Sequence, residues 1–246
     1  MRISQILFSQ GMGSRRECAM LIAAGEVQID SRVIDDGDED VSVTDLVFTV
    51  QGRAWPYHPE AVVMLHKPAG FECSRKPRQH PGVMSLLPQA LQRRGVQPVG
   101  RLDEDTTGLL LLTDSGALIH RLTSPKHHVP KVYEVTTRHP VDEAQAAALC
   151  LGVSLLDDPR PARALACDIT GEHSLRLTLT EGRYHQVKRM LAAVGNRVEA
   201  LHRSSFGPLS VPANLPAGAW CWLDAAQRAA LDAAASARSD RAINAV

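Results

Sequence analysis

The sequence predicts an α+β protein in which a small helix-helix-hairpin module precedes a larger domain built on a mainly antiparallel sheet with flanking helices. Three observations carry this prediction. Two short helical runs and a pair of short alternating strands are packed into residues 3–34. From residue 61 onward, strand-like segments outnumber helical ones. The two kinds of segment do not alternate regularly, as a doubly wound fold would require.

In the first module, Ser14-Arg15-Arg16-Glu17 has the form of a capping box, Cys18, Leu21 and Ile22 follow at helical spacing, and Gly25 stops the helix. Val27 and Ile29 alternate as a strand, Asp30-Ser31 make a turn, and a second short strand covers Arg32 to Ile34. A strand at Leu46 to Val50 closes the module, giving a domain over 1–50, and residues 51–60 read as a linker. A second domain is expected over 61–235. Val62 to Leu65 is a buried strand ending in the turn Lys67-Pro68-Ala69-Gly70, and Leu109 to Thr113 is short and apolar enough for a central strand. Asp114 or Ser115 caps a helix with Leu118 and Leu122, which Ser124-Pro125 ends. In 131–137 a period of two puts Lys131, Tyr133 and Val135 on one face, and Leu175, Leu177 and Leu179 alternate likewise. Tyr184 to Val194 is predicted helical, with Val187, Met190, Leu191 and Val194 as its apolar stripe and Gly195 as its stop. Asp224 to Ala235 is predicted to be a docked helix, followed by a loose tail over 236–246.

Composition bounds the function. With 246 residues and 44% hydrophobic content the chain can bury a substantial core. No apolar stretch approaches the roughly 20 residues of a membrane helix, and MRISQILFSQ is too short and polar for a signal peptide, so a cytoplasmic protein is expected. Five dispersed cysteines without a CxxC suggest neither a disulfide framework nor a zinc site. The zero formal net charge hides an asymmetry: residues 1–50 hold four Lys/Arg against nine Asp/Glu, and residues 51–140 hold twelve against seven. The middle of the chain is therefore the better place for an anion.

The segment GRLDEDTTGLLLLT (100–113) sets Asp103, Glu104 and Asp105 just ahead of four leucines. Its spacing superficially matches a calcium loop, but Leu111 would occupy a ligand position, Asp114 replaces the bidentate Glu, and Pro98 and Gly100 disrupt the entering helix. Acids and threonines in a tight turn explain Asp105 to Gly108 and leave Asp103 unaccounted for. A third reading makes Asp103 a catalytic carboxylate held at a cleft by the rigid strand behind it.

GRLDEDTTGLLLLTDSG resembles the signature of the RsuA-type pseudouridine synthases: GRLD, two variable residues, Thr, any residue, Gly, then an apolar strand. KVYEV (131–135) and EGRYHQVKRML (181–191) resemble the two further segments of that family, in the same order, and RRECAMLIAAGEVQIDSRVI resembles the S4 RNA-binding module that the family carries at its N-terminus. The resemblance implies a catalytic role for Asp103, a base-stacking role for Tyr133 and a basic partner for the aspartate in Lys188. By residue type alone, Tyr133 is read as an ordinary core aromatic, the usual fate of a strand tyrosine, and Lys188 as an exposed helix lysine. The implied reaction isomerises a uridine in RNA, breaking its N1–C1′ bond, turning the trapped uracil and rejoining it through C5. Nothing is oxidised or added, so no cofactor and no metal is expected. Arg101, two residues before Asp103, is a candidate for holding the flipped nucleotide or a phosphate. Arg183 and Arg189 are placed to meet phosphates, with Lys131 and His185 as further RNA contacts, Arg121, Lys126, His127 and His128 as weaker ones, and Arg15 and Arg16 as those of the S4-like module. The acidic run Asp35 to Asp40 departs from that module and predicts weak RNA affinity there. Tyr184-His185, where large-subunit enzymes of the family show Asn-Arg, favours small-subunit 16S rRNA, with the uridine conventionally numbered 516 as the implied target. The expected partner is that rRNA in a partly assembled small subunit, and the expected state is a monomer. The rivals are a 23S rRNA enzyme of the same family and a non-catalytic rRNA-binding or assembly protein.

Overall fold

A computed structural model describes residues 1–74, 76–124, 127–156 and 158–236; Lys126 and residues 237–246 of the expected tail lie outside this set. The chain divides into two compact units, residues 1–61 with 87–97, and residues 62–86 with those from 98 onward.

The first unit contains α1 (Ile3–Ser9), α2 (Arg15–Ala23), β1 (Val27–Ile29), β2 (Arg32–Val33), β3 (Val47–Val50), β4 (Arg53–Pro56) and α3 (Gln89–Arg93). The capping box is present: Glu17 N–H donates to Ser14 Oγ at 3.2 Å, and Ser14 N–H donates to the Glu17 carboxylate at 2.6 Å. Its four strands lie in the order β2-β1-β3-β4 over a core of Ile3, Ile6, Leu7, Ile22, Val27 and Phe48. Two expectations fail here. The segment read as a linker holds β4, which pairs antiparallel with β3 across the turn Gln51-Gly52, where both residues have positive φ. Residues 87–97, expected in the second domain, pack with the first unit. There α3 approaches Gly11 so closely that a Cβ at that position would sit 2.1 Å from the Ala90 carbonyl oxygen. The acidic run is partly neutralised from within, by Arg2 on Asp38 at 3.1 Å and by Arg32 on Glu39.

The second unit contains β5 (Val62–Lys67), a 3-10 turn (Val83–Leu86), β7 (Thr107–Thr113), α4 (Gly116–Thr123), β8 (Lys131–Thr137), α5 (Glu143–Leu151), β9 (Val153–Leu155), β10 (Asp158–Ala162), β11 (Ala166–Gly171), β12 (Ser174–Leu179), α6 (Gln186–Ala193), β13 (Val198–Phe206), β14 (Leu209–Ser210), β15 (Trp220–Trp222) and α7 (Ala225–Ser236). A two-residue strand, β6 (Gln97–Pro98), lies at the boundary of the units. The main sheet runs β11-β12-β8-β13-β7-β5-β15, and neighbours along this path are antiparallel except β13 beside β7. This is the α+β architecture that the irregular order of segments predicts. At the parallel junction the chains approach too closely for a side chain: Gly108 has φ +107°, and a Cβ there would lie 2.2 Å from the Arg203 carbonyl oxygen. Leu109, Leu110, Leu111 and Leu112 are fully buried because β7 is flanked by β13 and β5. Leu109 and Leu111 join Val62, Met64, Leu118, Leu122, Leu231 and Ala235 in the core, which docks α4 and α7. Helix α6 starts two residues later than the predicted start at Tyr184, because His185 adopts a left-handed conformation (φ 47°, ψ 37°) that cannot continue the helix backward.

Candidate active site

The strand β7 is a rigid footing, and the loop ahead of it is held by its carbonyls. Lys67, fully buried at the end of β5, donates from Nζ to the carbonyls of Pro68, Glu104 and Thr106 at 3.0, 2.9 and 2.8 Å. Burial lowers the Lys67 pKa, opposed in part by the charges of Cys73 and the neighbouring acids. Gly70 N–H donates to the Glu104 carbonyl at 3.1 Å, Thr106 N–H to that of Asp103 at 3.2 Å, and Leu102 is buried as a peg. With its backbone fixed in this way, the loop presents the carboxylates of Asp103 and Asp105 outward.

Asp103 meets two cationic or cationisable groups: His185 Nε2 lies 3.4 Å from Oδ1 and Lys188 Nζ 3.4 Å from Oδ2. The expectation that Lys188 serves Asp103 needs revising in its proportions. Its ammonium binds both oxygens of Asp105, at 2.7 and 2.8 Å, and reaches Asp103 at longer range. Partial burial pushes the Asp105 pKa up, but the Lys188 hydrogen bond and charge outweigh it and hold the carboxyl below its ordinary value. Burial likewise pulls Lys188 down, and the two aspartates overcome it, so its pKa is raised. The ammonium is thus firmly charged, with Asp103 and Asp105 sharing its field.

Asp103 lies on the wall of a cleft of about 680 Å³. Tyr133, buried on β8, lines it together with Lys131 and Phe206. Arg203 on β13 also lines it, and sequence reasoning missed this residue, assigning nothing to the LHRSSF segment. It is 2% exposed, donates from Nε to the Leu109 carbonyl at 2.8 Å, stacks over Phe206 at 5.4 Å, and leaves Nη2 without a hydrogen-bond partner among the described residues. Lys131 sits over the other part of this cluster, its Nζ 5.3 Å from the Phe206 centroid and donating to the Val129 carbonyl at 2.8 Å. Burial, and then the Arg203 charge, lower its pKa to about 8. Two cations therefore meet in the depth of the cleft with little anionic compensation, an arrangement suited to carbonyl oxygens or phosphate. Glu72, which also lines the cleft, accepts from the N–H groups of Arg78, Gln79 and His80, which lowers its pKa.

Two predicted phosphate ligands are occupied elsewhere. Arg183 is largely buried; its guanidinium binds Asp158 at 3.1 Å, Glu181 at 3.1 Å, the Pro161 carbonyl at 3.1 Å and the Arg160 carbonyl at 2.5 Å. Arg189 donates to the carbonyls of Tyr184, at 3.2 Å, and Leu156. Both arginines brace the 181–186 loop, and Arg183 also lines the cleft. Arg121 is likewise spent on Asp232, at 2.9 Å, and neither it nor His127 nor His128 lines the cleft. Arg101 and His185 do line it, and Arg101 is exposed. In the other unit Arg15 and Arg16 are exposed, Arg15 lying over the Phe8 ring at 5.2 Å. Among the described residues no group of three or more His, Cys, Asp or Glu side chains is placed to hold a metal, and no helix is long and apolar enough to cross a membrane.

Residues 61–193, which carry all but the last wall of this cleft, match the family model described as RNA pseudouridylate synthase. The chain belongs to that family. It is therefore an RNA pseudouridine synthase, an isomerase, and residues 1–47 match the S4 domain. The synthase is 38% identical over 225 residues to the ribosomal small subunit pseudouridine synthase A of Pseudomonas aeruginosa, covering 92% of this chain and 97% of that protein. It is 38% identical over 221 residues to an uncharacterized RNA pseudouridine synthase of Bacillus subtilis, covering 89% and 92%. A solved structure titled as a pseudouridylate synthase superposes with a TM-score of 0.67 at 33% identity, over 94% of this synthase and 99% of that chain.

Proposed function

We propose that this synthase converts one uridine of 16S ribosomal RNA to pseudouridine in the bacterial cytoplasm, acting as a monomer on a partly assembled small subunit, with Asp103 as the catalytic residue. Support for the substrate comes from the relatives named as small-subunit enzymes, which align over nearly the whole chain. The target is the uridine conventionally numbered 516. The single observation that carries the assignment of Asp103 is its geometry: a carboxylate on a loop fixed by Lys67, at a cleft lined by Tyr133 and within 3.4 Å of Lys188.

The chemistry follows from those groups. The target nucleotide leaves its stack at a cost of a few kcal/mol and enters the cleft. The Tyr133 ring supports the uracil by stacking, worth roughly 1–3 kcal/mol. Asp103, kept company by Lys188, brings negative charge to the electron-poor C1′ as the N1–C1′ bond breaks. The uracil turns in place, C5 bonds to C1′, the C5 proton is lost and N1 gains one. The unpartnered Nη2 of Arg203 and the Lys131 ammonium favour a ligand rich in carbonyl oxygens, as uracil is. Arg101 at the mouth holds the flipped nucleotide or its phosphate.

The test is pseudouridine-specific mapping of 16S rRNA in a partly assembled small subunit from cells lacking the enzyme, incubated with wild-type protein or Asp103→Ala. One new pseudouridine that vanishes with Asp103→Ala, with RNA binding retained, is the expected result. A signal in 23S rRNA alone, or an Asp103→Ala protein as active as wild type, would overturn the reading.

A further inference from the structure

We propose that Tyr184, backed by His185, is a stacking platform for a nucleobase adjacent to the uridine being isomerised. The inference rests on the RNA-modifying reading above and adds to it a second base-binding subsite at the mouth of the cleft. Tyr184 lines the cleft mouth and is 76% exposed, although a large aromatic ring is ordinarily withdrawn from water. One face is covered: its ring stacks on His185 with centroids 3.9 Å apart and planes 17° from parallel. The exposed remainder is a flat surface of the size of a base.

The loop beneath is not free to withdraw the ring. Arg183 N–H donates to Gln186 Oε1 at 2.8 Å, Gln186 Nε2 to Glu181 at 2.9 Å, and Arg189 to the Tyr184 carbonyl at 3.2 Å, while the Arg183 guanidinium ties the loop to Asp158. The left-handed backbone of His185 turns its ring inward, where Nε2 reaches Asp103, and leaves Tyr184 outward. A non-glycine residue in that conformation is uncommon and is held there by its surroundings. An aromatic held rigidly loses little entropy on binding, which separates a platform from an incidental surface tyrosine.

The ligand class follows from the reaction. Extruding the target uridine strips a neighbouring base of one stacking partner. Tyr184 can replace that partner, extending base, tyrosine and histidine into one stack that ends at Asp103. Stacking is sequence-tolerant, since every base has a π-face, so the platform takes whichever base flanks the target.

The experiment measures KM, kcat and the dissociation constant for the small-subunit particle with Tyr184→Ala, Tyr184→Leu, Tyr184→Phe and Tyr184→Trp. It uses rRNA ligated to carry an abasic residue on the 5′ or the 3′ side of the target. Tyr184→Ala and Tyr184→Leu are expected to raise KM and the dissociation constant about tenfold, with a smaller change in kcat, and the aromatic variants to restore both. One of the two abasic substrates should cost wild type a similar factor and cost Tyr184→Ala nothing more. Equal behaviour of Tyr184→Leu and Tyr184→Phe, or losses from Tyr184→Ala and the abasic site that multiply, would overturn the platform. Absence of pseudouridine with wild-type protein would count against the functional reading instead, and the binding arm would still decide the platform.

Discussion

Two loops border the cleft, and they are held in opposite ways. The 100–106 loop is anchored through its backbone: a buried cation from another strand, Lys67, takes the carbonyls of Glu104 and Thr106, and the carboxylates of Asp103 and Asp105 are left to meet Lys188 at the cleft. The 181–186 loop is anchored through its side chains: Arg183, Glu181 and Gln186 are consumed in holding it, and the rings of Tyr184 and His185 are left lining the cleft. A loop whose side chains must react is better fixed by its carbonyls, because the anchor then takes nothing from the chemistry. A loop that only presents a surface can spend its charges on itself.

The sharpest way to break this contrast is Lys67→Met. It leaves three carbonyls near a buried site without their donor and is expected to lower stability by about 2–4 kcal/mol in urea unfolding. The rate of pseudouridine formation should fall more than a hundredfold under conditions where the protein remains folded, because Asp103 is no longer held. An undiminished rate would show that β7 alone positions the acid. Arg183→Met should cost less, about 1–3 kcal/mol, since some of its partners reach solvent when released. Its kinetic effect should fall on KM, and an equal loss in kcat would place the second loop among the chemical groups.

The smallest effect sharpens the view of the cleft's depth. The Lys131 pKa is lowered to about 8 by burial and by Arg203. Its positive charge is therefore lost as pH rises through about 8, and RNA affinity should weaken a few-fold between pH 7 and 9. Lys131→Arg, which stays charged, should abolish that limb. A limb that persists in Lys131→Arg belongs to another group. The sign for stability is opposite: from about pH 8 up to 10.5 the unfolded chain holds the proton that the folded chain has lost, so stability gains with pH across that window.

What the sequence made legible is local. The capping box at Ser14 and Glu17, the leucine strand and the alternation around Tyr133 are set by neighbours three or fewer residues away, and all appear as expected. The site residues recognised through family resemblance, Asp103, Tyr133 and Lys188, are brought to one cleft. What was not legible depends on contacts far along the chain. Nothing near Arg183 indicates that Asp158 and the Pro161 carbonyl will occupy it, and nothing in KPAG shows that Lys67 will reach residues 104 and 106. Arg203 looks like a surface arginine until β7 closes over it. The strand β4 was hidden by polar residues and by Trp55-Pro56, which read as punctuation.

The most direct measurement separates the two carboxylates that share Lys188. Single-turnover pseudouridine formation would be compared for wild type, Asp103→Asn and Asp105→Asn, each checked for fold and RNA binding. If Asp103 is the reacting group and Asp105 the anchor of Lys188, Asp103→Asn loses at least about 10³-fold and Asp105→Asn far less. A larger loss with Asp105→Asn than with Asp103→Asn would contradict the assignment.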